Sequence, residues 1–352
     1  MNSEYIPKAK KEKKKGGTTK KVLLIVLALL LALVLAGGLY VHSKYAQMYD
    51  DGDAEGDVEQ VDQNLSDAMD SATAELEEKE SIYYDGDVLA SKDVFNVLLI
   101  GTDERTNGEY SDNARGDSCI LASINTSGEV PVISLVSLER GMGMPIPWGQ
   151  YEGQYDWLTH LFRYGGAKMM MAAVEDAFKV QVDYYARINF GGFEQVVNAV
   201  GGVTVYLDEA EARYFIDGHI DYGAVVGPNR LDGRRALAYA RLREIDSDWQ
   251  RIQRQREVIF SVLDQCRELS LTELNELADV ILPLIKTNIP ESKMAELLLL
   301  LPQLPNAQTQ QATVPQHGTY GGMTGLGGRS LFAVDFETNA KFLHEFLYGV
   351  KE

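Results

Sequence analysis

Arginine is concentrated in one stretch of an otherwise acidic chain. The 352 residues carry a formal net charge of -19, yet residues 230–256 hold eight arginines and no lysine against three aspartates and one glutamate. A planar guanidinium group binds phosphate or carboxylate through two parallel hydrogen bonds. The alternative interpretation is a solvated helix face whose arginines pair with nearby acids. We interpret the stretch as a candidate anion-binding site.

Spacing places part of this stretch on one helix. Asp248 is in position to N-cap a helix that runs to about Leu269, which makes Arg251 the third helical residue. Arg251 and Gln255 share a stripe with apolar residues further along the helix, so Arg251 is expected to point inward. Free backbone N–H groups at a helix N-terminus also favour anions. This helix start is therefore expected to contribute to the site.

Four further arginines flank the stripe. Arg254 lies beside it, whereas Arg256 is predicted to face solvent. Upstream, Arg241 and Arg243 are two residues apart and share a side if the chain is extended there. The stretch thus offers several cations to one ligand.

A second cluster of charges surrounds the predicted strands. Asp103 and Arg105 follow the first strand, Arg115 and Asp117 precede the second, and Arg140 ends the third. Loops at sheet edges commonly hold ligands. Aspartates that face a phosphate suit Mg²⁺, which takes one or two carboxylates together with phosphate oxygens. The alternative is that these aspartates only cap turns.

Strands and helices alternate in the region that must position these residues. We therefore predict an α/β fold, a layered αβα domain with a central mixed β-sheet. Apolar runs predict strands at 94–101, 118–125, 130–138, 184–190, 203–207 and 332–336, and helices at 167–178, 192–200, 271–285, 291–301 and 339–348. The glycine-rich segment 316–329 lacks the ending of a phosphate-binding P-loop and is predicted to be a mobile loop.

The N-terminal region has the pattern of a membrane anchor. Residues 22–41 carry no charge, and twenty helical residues at about 1.5 Å each span the roughly 30 Å hydrocarbon core. Eight lysines within residues 1–21 predict a cytoplasmic tail, so the remainder lies outside the cell. A cleaved signal peptide is the alternative, although its apolar run is usually shorter. We expect an acidic extracellular stalk at 42–92 and one folded domain at 93–352.

Composition excludes several classes of function. The acidic outer part argues against nucleic acid as a partner. The five histidines form no HExxH motif and no Gly-x-Ser-x-Gly is present, which argues against hydrolases of those types. Cys119 and Cys266 are expected to be buried free thiols, with one extracellular disulfide as the alternative.

Six motifs in this order resemble the LytR-CpsA-Psr family over about residues 93–350. They read GTDER, ARGDS, VSLER, INFGGFEQVVNAVGGVTV, LDGRRALAYARLR and DSDWQRIQRQREVI. The resemblance implies a bacterial cell-wall enzyme that uses Mg²⁺ and an α/β domain with an apolar lipid pocket. Such an enzyme moves a glycopolymer, for example teichoic acid or capsule, from an undecaprenyl-pyrophosphate carrier onto peptidoglycan. We therefore expect a membrane-anchored extracellular transferase of a Gram-positive bacterium.

The resemblance also implies roles for individual residues. Asp103 and Asp117 would be Mg²⁺ ligands. The residues expected on the pyrophosphate are Arg115, Arg140, Arg241, Arg243 and Gln255, with Arg105, Arg251 and Arg254 supporting them. Among these, Arg140, Asp117, Arg241 and Arg243 are the expected catalytic residues. Either Asp117 or Asp248 is the candidate general base for the acceptor hydroxyl.

Three departures from the family pattern are present. Gly141 follows Arg140 where the family usually has aspartate, and Gly116 precedes Asp117 where it usually has serine. A typical Lys-Ile-Asn is replaced by residues 157–159, Trp-Leu-Thr. Loss of that aspartate and of the lysine is expected to alter the acceptor site or weaken turnover. The alternative function is a noncatalytic surface or regulatory protein that binds polyprenyl phosphate without transferring it.

Overall fold

The computed structural model describes most of the region downstream of residue 62. The described residues are 42–43, 45–46, 48–50, 63–103, 114–300 and 306–350. The tail and membrane helix predicted within 1–41 lie outside them, as does Arg105. Within the described part of the chain, no helix is long and apolar enough to cross a membrane.

A six-stranded mixed sheet lies at the centre of the fold. The described strands are β1 (Val94–Thr102), β2 (Gly116–Asn125), β3 (Val132–Leu138), β4 (Gly143–Pro145), β5 (Tyr155–Trp157), β6 (Tyr184–Asn189), β7 (Val203–Leu207), β8 (Gly227–Leu231), β9 (Lys286–Thr287), β10 (Gln308–Val314), β11 (Tyr320–Thr324) and β12 (Ser330–Val334). The sheet has the order β10-β3-β2-β1-β6-β9. β1 is antiparallel to β2 and parallel to β6, and β10 is parallel to β3. The predicted α/β fold with a mixed sheet is confirmed.

Helices connect and cover these strands. The described helices are α1 (Gln63–Thr73), α2 (Leu158–Phe178), α3 (Phe190–Ala199), α4 (Glu209–Asp217), α5 (Gly233–Arg241), α6 (Asp248–Arg267), α7 (Leu271–Ile281), α8 (Glu291–Leu300) and α9 (Phe336–Leu343). Side-chain caps fix several starts, since Asp208, Asp232 and Ser270 each accept a hydrogen bond from the backbone N–H three residues on. A short π-helix, His344–Tyr348, continues α9.

Side chains alternate between the two faces of the sheet. Leu98 on β1 and Leu121 on β2 belong to the main apolar core, which α2 and α9 complete. Their neighbours Leu99 and Ile120 point to the opposite face, which is covered by α3, α5 and α6. Because successive residues of a strand face opposite sides, helices lie on both faces of one sheet. This is the layered arrangement expected from the sequence.

Residues 63–92, predicted to belong to a solvated stalk, pack against the domain instead. Leu65 and Met69, one turn apart on α1, are both buried in the main core, and Met69 is only 3% exposed. The helix lies against β12. Two apolar residues at this spacing form one face of a helix. The prediction of a stalk rested on the acidic composition of the whole segment and overlooked this apolar face.

The glycine-rich segment 316–329 is not the mobile loop that was predicted. It contains β11, which pairs with β12 in an antiparallel hairpin. A Cβ atom at Gly321 would lie 2.8 Å from the carbonyl oxygen of Glu77. Glycine at this position therefore permits close backbone packing rather than mobility.

Neither cysteine forms a disulfide. Cys119 is buried in β2, and Cys266 lies half-buried on α6. Burial raises the pKa of both thiols. The interpretation as free thiols is confirmed.

Candidate functional site

A cavity of about 480 Å³ lies between the sheet and the layer formed by α3, α5 and α6. Most of its wall is apolar and includes Leu99, Ile120, Phe193, Val258 and Ile285. Charged side chains line the part of the cavity nearest the end of β1, and these are Arg115, Asp117, Arg140, Arg241, Arg243 and Arg251. The cavity therefore combines an apolar interior with a cationic edge.

Arg140, two residues after the end of β3, is the centre of the charged edge. Its side chain is 3% exposed, with Nη1 3.5 Å from Oδ1 of Asp117 and Nε 3.4 Å from Oδ2 of Asp248. Arg251 donates from Nη2 to the same Oδ2 at 2.8 Å. Burial raises the pKa of Asp248, but Arg251 and Arg140 outweigh that effect and hold it at about 2. Asp248 is thus an ionised bridge between two guanidinium groups.

The start of α6 differs by one residue from the prediction. Ser247 is the N-cap residue and Asp248 is the first helical residue, so Arg251 is the fourth rather than the third. The Asp248 carboxylate binds the two arginines rather than capping the helix. Arg251 points inward as predicted and is buried.

Glu139 is a member of this cluster that sequence reasoning missed. It is 1% exposed and directly precedes Arg140. Burial and the nearby Asp248 carboxylate raise the pKa of Glu139 to about 8. At neutral pH Glu139 is therefore mainly protonated. The signal was an acid at the buried end of the VSLER strand, next to the arginine that was selected.

Arg115 and Asp103 form a second ion pair near this edge. The backbone N–H of Arg115 donates to Oδ1 of Asp103 at 3.0 Å, and its Nε donates to Oδ2 at 2.9 Å. Arg115 itself lines the cavity, whereas Asp103 contributes through Arg115. Both residues of the pair therefore lie at the end of the sheet where the sequence predicted a ligand site.

The carboxylates at this edge are few for a metal site made of protein alone. Among the described residues, no group of three or more His, Cys, Asp or Glu side chains is placed to hold a metal ion. Within the part of the chain that the structure describes, Oδ1 of Asp117 is buried, accepts no hydrogen bond and lies 3.5 Å from Nη1 of Arg140, so it can serve as a hard oxygen ligand. Mg²⁺ at phosphate sites needs only one or two carboxylates because phosphate oxygens and water complete its shell. The donor set fits Mg²⁺ held jointly with a phosphate ligand.

Arg241, Arg243 and Gln255 meet at the cavity as predicted, although the chain near Arg241 is helical rather than extended. Arg241 ends α5, and its guanidinium carbon lies 4.5 Å from the centroid of the Phe190 ring. Nη1 of Arg243 is buried and donates to no described residue. Gln255 accepts from Oγ of Ser118 at 3.0 Å. Since a buried donor without a partner is costly, Arg243 favours binding of an acceptor-rich ligand.

Arg254 does not reach the cavity. It donates from Nε to Oε1 of Glu211 at 2.6 Å and from Nη1 to the carbonyl of Leu242 at 2.9 Å, and it also pairs with Asp246. These contacts fix the turn that carries Arg243. The sequence predicted that Arg254 supports binding of the pyrophosphate. In the structure its side chain instead lies behind the site, on the turn that carries Arg243.

The prediction that Arg256 faces solvent is wrong. Its side chain is 7% exposed, and it donates from Nε to Gln311 and from Nη1 to Oγ of Ser137. Helix α6 contacts β3 as well as α5 and β7, so the buried surface is wider than one stripe. The prediction assumed that this helix buries one stripe of residues. Because α6 is packed on two sides, it also buries residues outside that stripe, such as Arg256.

The departures from the family pattern lie in packed positions. A Cβ atom at residue 141 would overlap Sδ of Met69, so the Met69 side chain of α1 occupies the space that a larger residue would need. Trp157 and Thr159 are fully buried at the start of α2, and Nε1 of Trp157 donates to the carbonyl of Ser330. They do not line the cavity described above.

Fold and site together define an α/β protein that has an apolar cavity with arginines along one edge. The chain belongs to the LytR_cpsA_psr family, which it matches over residues 39–345. It is 33% identical over 226 residues to the polyisoprenyl-teichoic acid–peptidoglycan teichoic acid transferase TagT of Bacillus subtilis, covering 63% of this chain and 68% of the relative.

Solved structures show the same fold. TagT bound to LIIa-WTA is 28% identical with a TM-score of 0.57, covering 77% of this chain and 97% of that chain. Protein gbs0355 from Streptococcus agalactiae is 26% identical with a TM-score of 0.61, covering 74% and 89%. The similarity thus extends over the described domain.

Proposed function

We propose that this chain is a membrane-anchored extracellular transferase that moves a glycopolymer from an undecaprenyl-pyrophosphate carrier onto peptidoglycan, with Mg²⁺ as cofactor. The observation that carries the proposal is the arginine cluster at the edge of an apolar cavity. A lipid-linked pyrophosphate has the same two parts, a polyprenyl chain and a compact multiple anion. The names of the transferase relatives support this choice of substrate and acceptor.

The charged edge suits phosphoryl transfer. An acceptor hydroxyl would attack the phosphorus that carries the glycan, and polyprenyl phosphate would leave. Such reactions depend mainly on positioning and on neutralising charge. Arg140, Arg241 and Arg243 would bind the phosphate oxygens, while Asp248 holds Arg140 and Arg251 in place. Gln255 and Arg115 would complete the contacts to the pyrophosphate.

Asp117 and Asp103 would hold Mg²⁺, which would neutralise further charge on the pyrophosphate. Of the two candidate bases, Asp248 is a weak one because its pKa lies near 2 and both flanking arginines bind it. Asp117, which lines the cavity, is therefore the better candidate for receiving the acceptor proton. Its two proposed roles, as a ligand of Mg²⁺ and as the base, would use different oxygens of the same carboxylate.

The experiment uses the full chain in detergent with a lipid-linked pyrophosphate donor and peptidoglycan strands as the acceptor, and measures released polyprenyl phosphate. Arg140→Ala and Arg243→Ala are expected to lower the rate by roughly 100-fold or more, as loss of a charge-stabilising donor does. Chelation should stop release, and added Mg²⁺ should restore it. Arg213→Ala is the matched control, because Arg213 is exposed on α4 and pairs only with Glu209 among the described residues.

Absence of release by the unmodified chain across donors of different glycan composition would overturn the transferase proposal. Binding of polyprenyl phosphate without release would instead support the noncatalytic alternative. Thermal unfolding of each variant is measured in parallel, so that a misfolded Arg140→Ala chain is recognised. Arg243 is half-buried, so its variant carries the lower risk of misfolding.

A further inference from the structure

A second cleft, of about 530 Å³, adjoins the arginine cluster at the start of α6. Its wall contains Trp249, the residue after Asp248, together with side chains from β10, the β10–β11 connection and α9. Among the described residues, its lining contains His317 but no Asp, Glu, Lys or Arg side chain. This neutral cleft, named the aromatic cleft below, takes no part in the binding of pyrophosphate proposed above.

Flat aromatic surfaces are the first feature of the aromatic cleft. The rings of Trp249 and Tyr320 stack with centroids 5.6 Å apart and planes 28° from parallel. Buried Phe332 packs edge-on against Tyr320 at 5.1 Å and so supports the pair. Phe342 and Phe346 form a second stack at 5.4 Å. Rigid ring faces of this kind offer a large contact area at low cost in conformational entropy.

Neutral polar groups are the second feature. Buried Arg256 has only N–H donors, so its bond from Nε to Oε1 of Gln311 at 2.9 Å requires the Gln311 amide to accept there. The NH₂ group of exposed Gln311 then has no acceptor among the described residues. Gln316 donates from Nε2 to the carbonyl of Thr313, which leaves its Oε1 as an acceptor. The cleft thus presents a fixed amide donor and a fixed amide acceptor.

The position of the aromatic cleft links it to the proposed reaction. Strand β10 runs beside β3, and the N–H of Glu139 donates to the carbonyl of Val314 at 2.8 Å. The N–H of Phe332 donates to the carbonyl of Gly141 at 3.0 Å. The strands that carry the cleft therefore flank the segment that presents Arg140. A molecule in the cleft would lie next to the charged edge.

We propose that the aromatic cleft binds an N-acetylated pyranose of the acceptor glycan strand. The apolar face of a pyranose packs on indole and phenol rings, and its hydroxyl and acetamido groups exchange hydrogen bonds with amides such as those of Gln311 and Gln316. A neutral sugar needs no charged partner, which matches the lining. The inference rests on the proposed function for the identity of the acceptor, whereas binding of the sugar can be measured without it.

The test titrates the full chain in detergent with the soluble β-1,4-linked tetramer of N-acetylglucosamine, without any donor, by calorimetry. Trp249→Ala is expected to raise the dissociation constant roughly tenfold, as loss of a central aromatic contact does. Gln311→Glu still accepts from Arg256 but has lost the amide donor, so a severalfold weakening is expected with the fold preserved. Trp148→Ala removes an exposed tryptophan outside the cleft and should bind like the unmodified chain.

Equal affinity of Trp249→Ala and the unmodified chain would overturn the assignment, and so would absence of tetramer binding by the unmodified chain. In the transfer assay, Trp249→Ala should raise KM for peptidoglycan strands more than it lowers kcat. A chain that binds the tetramer through Trp249 but transfers nothing would overturn the proposed function and leave the assignment of the aromatic cleft intact.

Discussion

The two faces of the central sheet are formed by the same strands, but one face is tightly packed and the other borders a cavity. On one face, Leu98 and Leu121 are fully buried against α2 and its large aromatic residue Phe162. On the other, Leu99 and Ile120 form the wall of a cavity of about 480 Å³. Protein interiors are normally packed as densely as organic crystals, with few voids larger than a water molecule. An apolar space of this size next to arginines is therefore expected to serve a ligand.

Small residues help to keep the second face open. Gly101 on β1, Ala186 on β6 and Ala240 on α5 all line the cavity. The packed face instead receives Trp157 and Phe178, which fill the space between strand and helix. The difference indicates that stability depends mainly on one face of the sheet and that substrate fit depends mainly on the other.

Neighbouring leucines on β1 test this difference most strongly. Leu98→Ala removes a fully buried side chain and is expected to lower the free energy of unfolding by about 3 kcal/mol. Leu99→Ala should lower it by less than half as much, because the wall of a cavity already lacks packing partners on one side. Urea unfolding of both variants gives the two values. Equal losses would show that the two faces are packed alike.

Filling the cavity should separate stability from activity. Ala186→Leu adds three carbons to the wall and is expected to raise KM for a lipid-linked donor roughly tenfold, while the melting temperature stays unchanged or rises. The matched control is Ala173→Leu on α2, which overfills the packed face and should lower stability by about 1–3 kcal/mol. Unchanged KM in Ala186→Leu would mean that the donor's chain binds elsewhere.

A third expected effect is the dependence of stability on pH at the charged edge. The pKa of Glu139 is about 8 in the folded chain against 4.5 for an ordinary glutamate, so the folded state binds the extra proton between these values. Its contribution to stability is complete below about pH 4.5 and is lost as the pH rises through about 8.

Glu139→Gln stays neutral and is expected to flatten this part of the stability profile, which unfolding at a series of pH values would measure. A profile with the same slope in the variant would contradict the assignment of the proton to Glu139. Glu129→Gln, in the exposed turn before β3, is the matched control and should keep the slope.

The sequence predicted the parts of this molecule that depend on local pattern. Continuous apolar runs located β1, β2 and β3, because strands covered on both faces are apolar throughout. Ordered motifs also brought Arg140, Arg243 and Arg251 to one place, where the structure has them lining a single cavity. The roles of these residues remain predictions.

Features that depend on distant contacts were not predictable in the same way. Arg254 and Arg256 look alike in the sequence, but Glu211 pairs with the first and Gln311 binds the second, and both partners are far away along the chain. Glu139 was missed because its burial next to Asp248 exists only after β3 and α6 meet. Periodicity alone cannot assign such partners.

The contact between Gly141 and Met69 has a consequence for how relatives of this chain can vary. Any side chain at residue 141 would overlap Met69, which α1 holds in the core. The two positions are therefore expected to change together, so that a relative with aspartate at 141 has a shorter residue at 69 or a displaced α1. On this expectation, the segment before β1 changes together with the residue that follows Arg140, although the two are separated by some seventy positions along the chain.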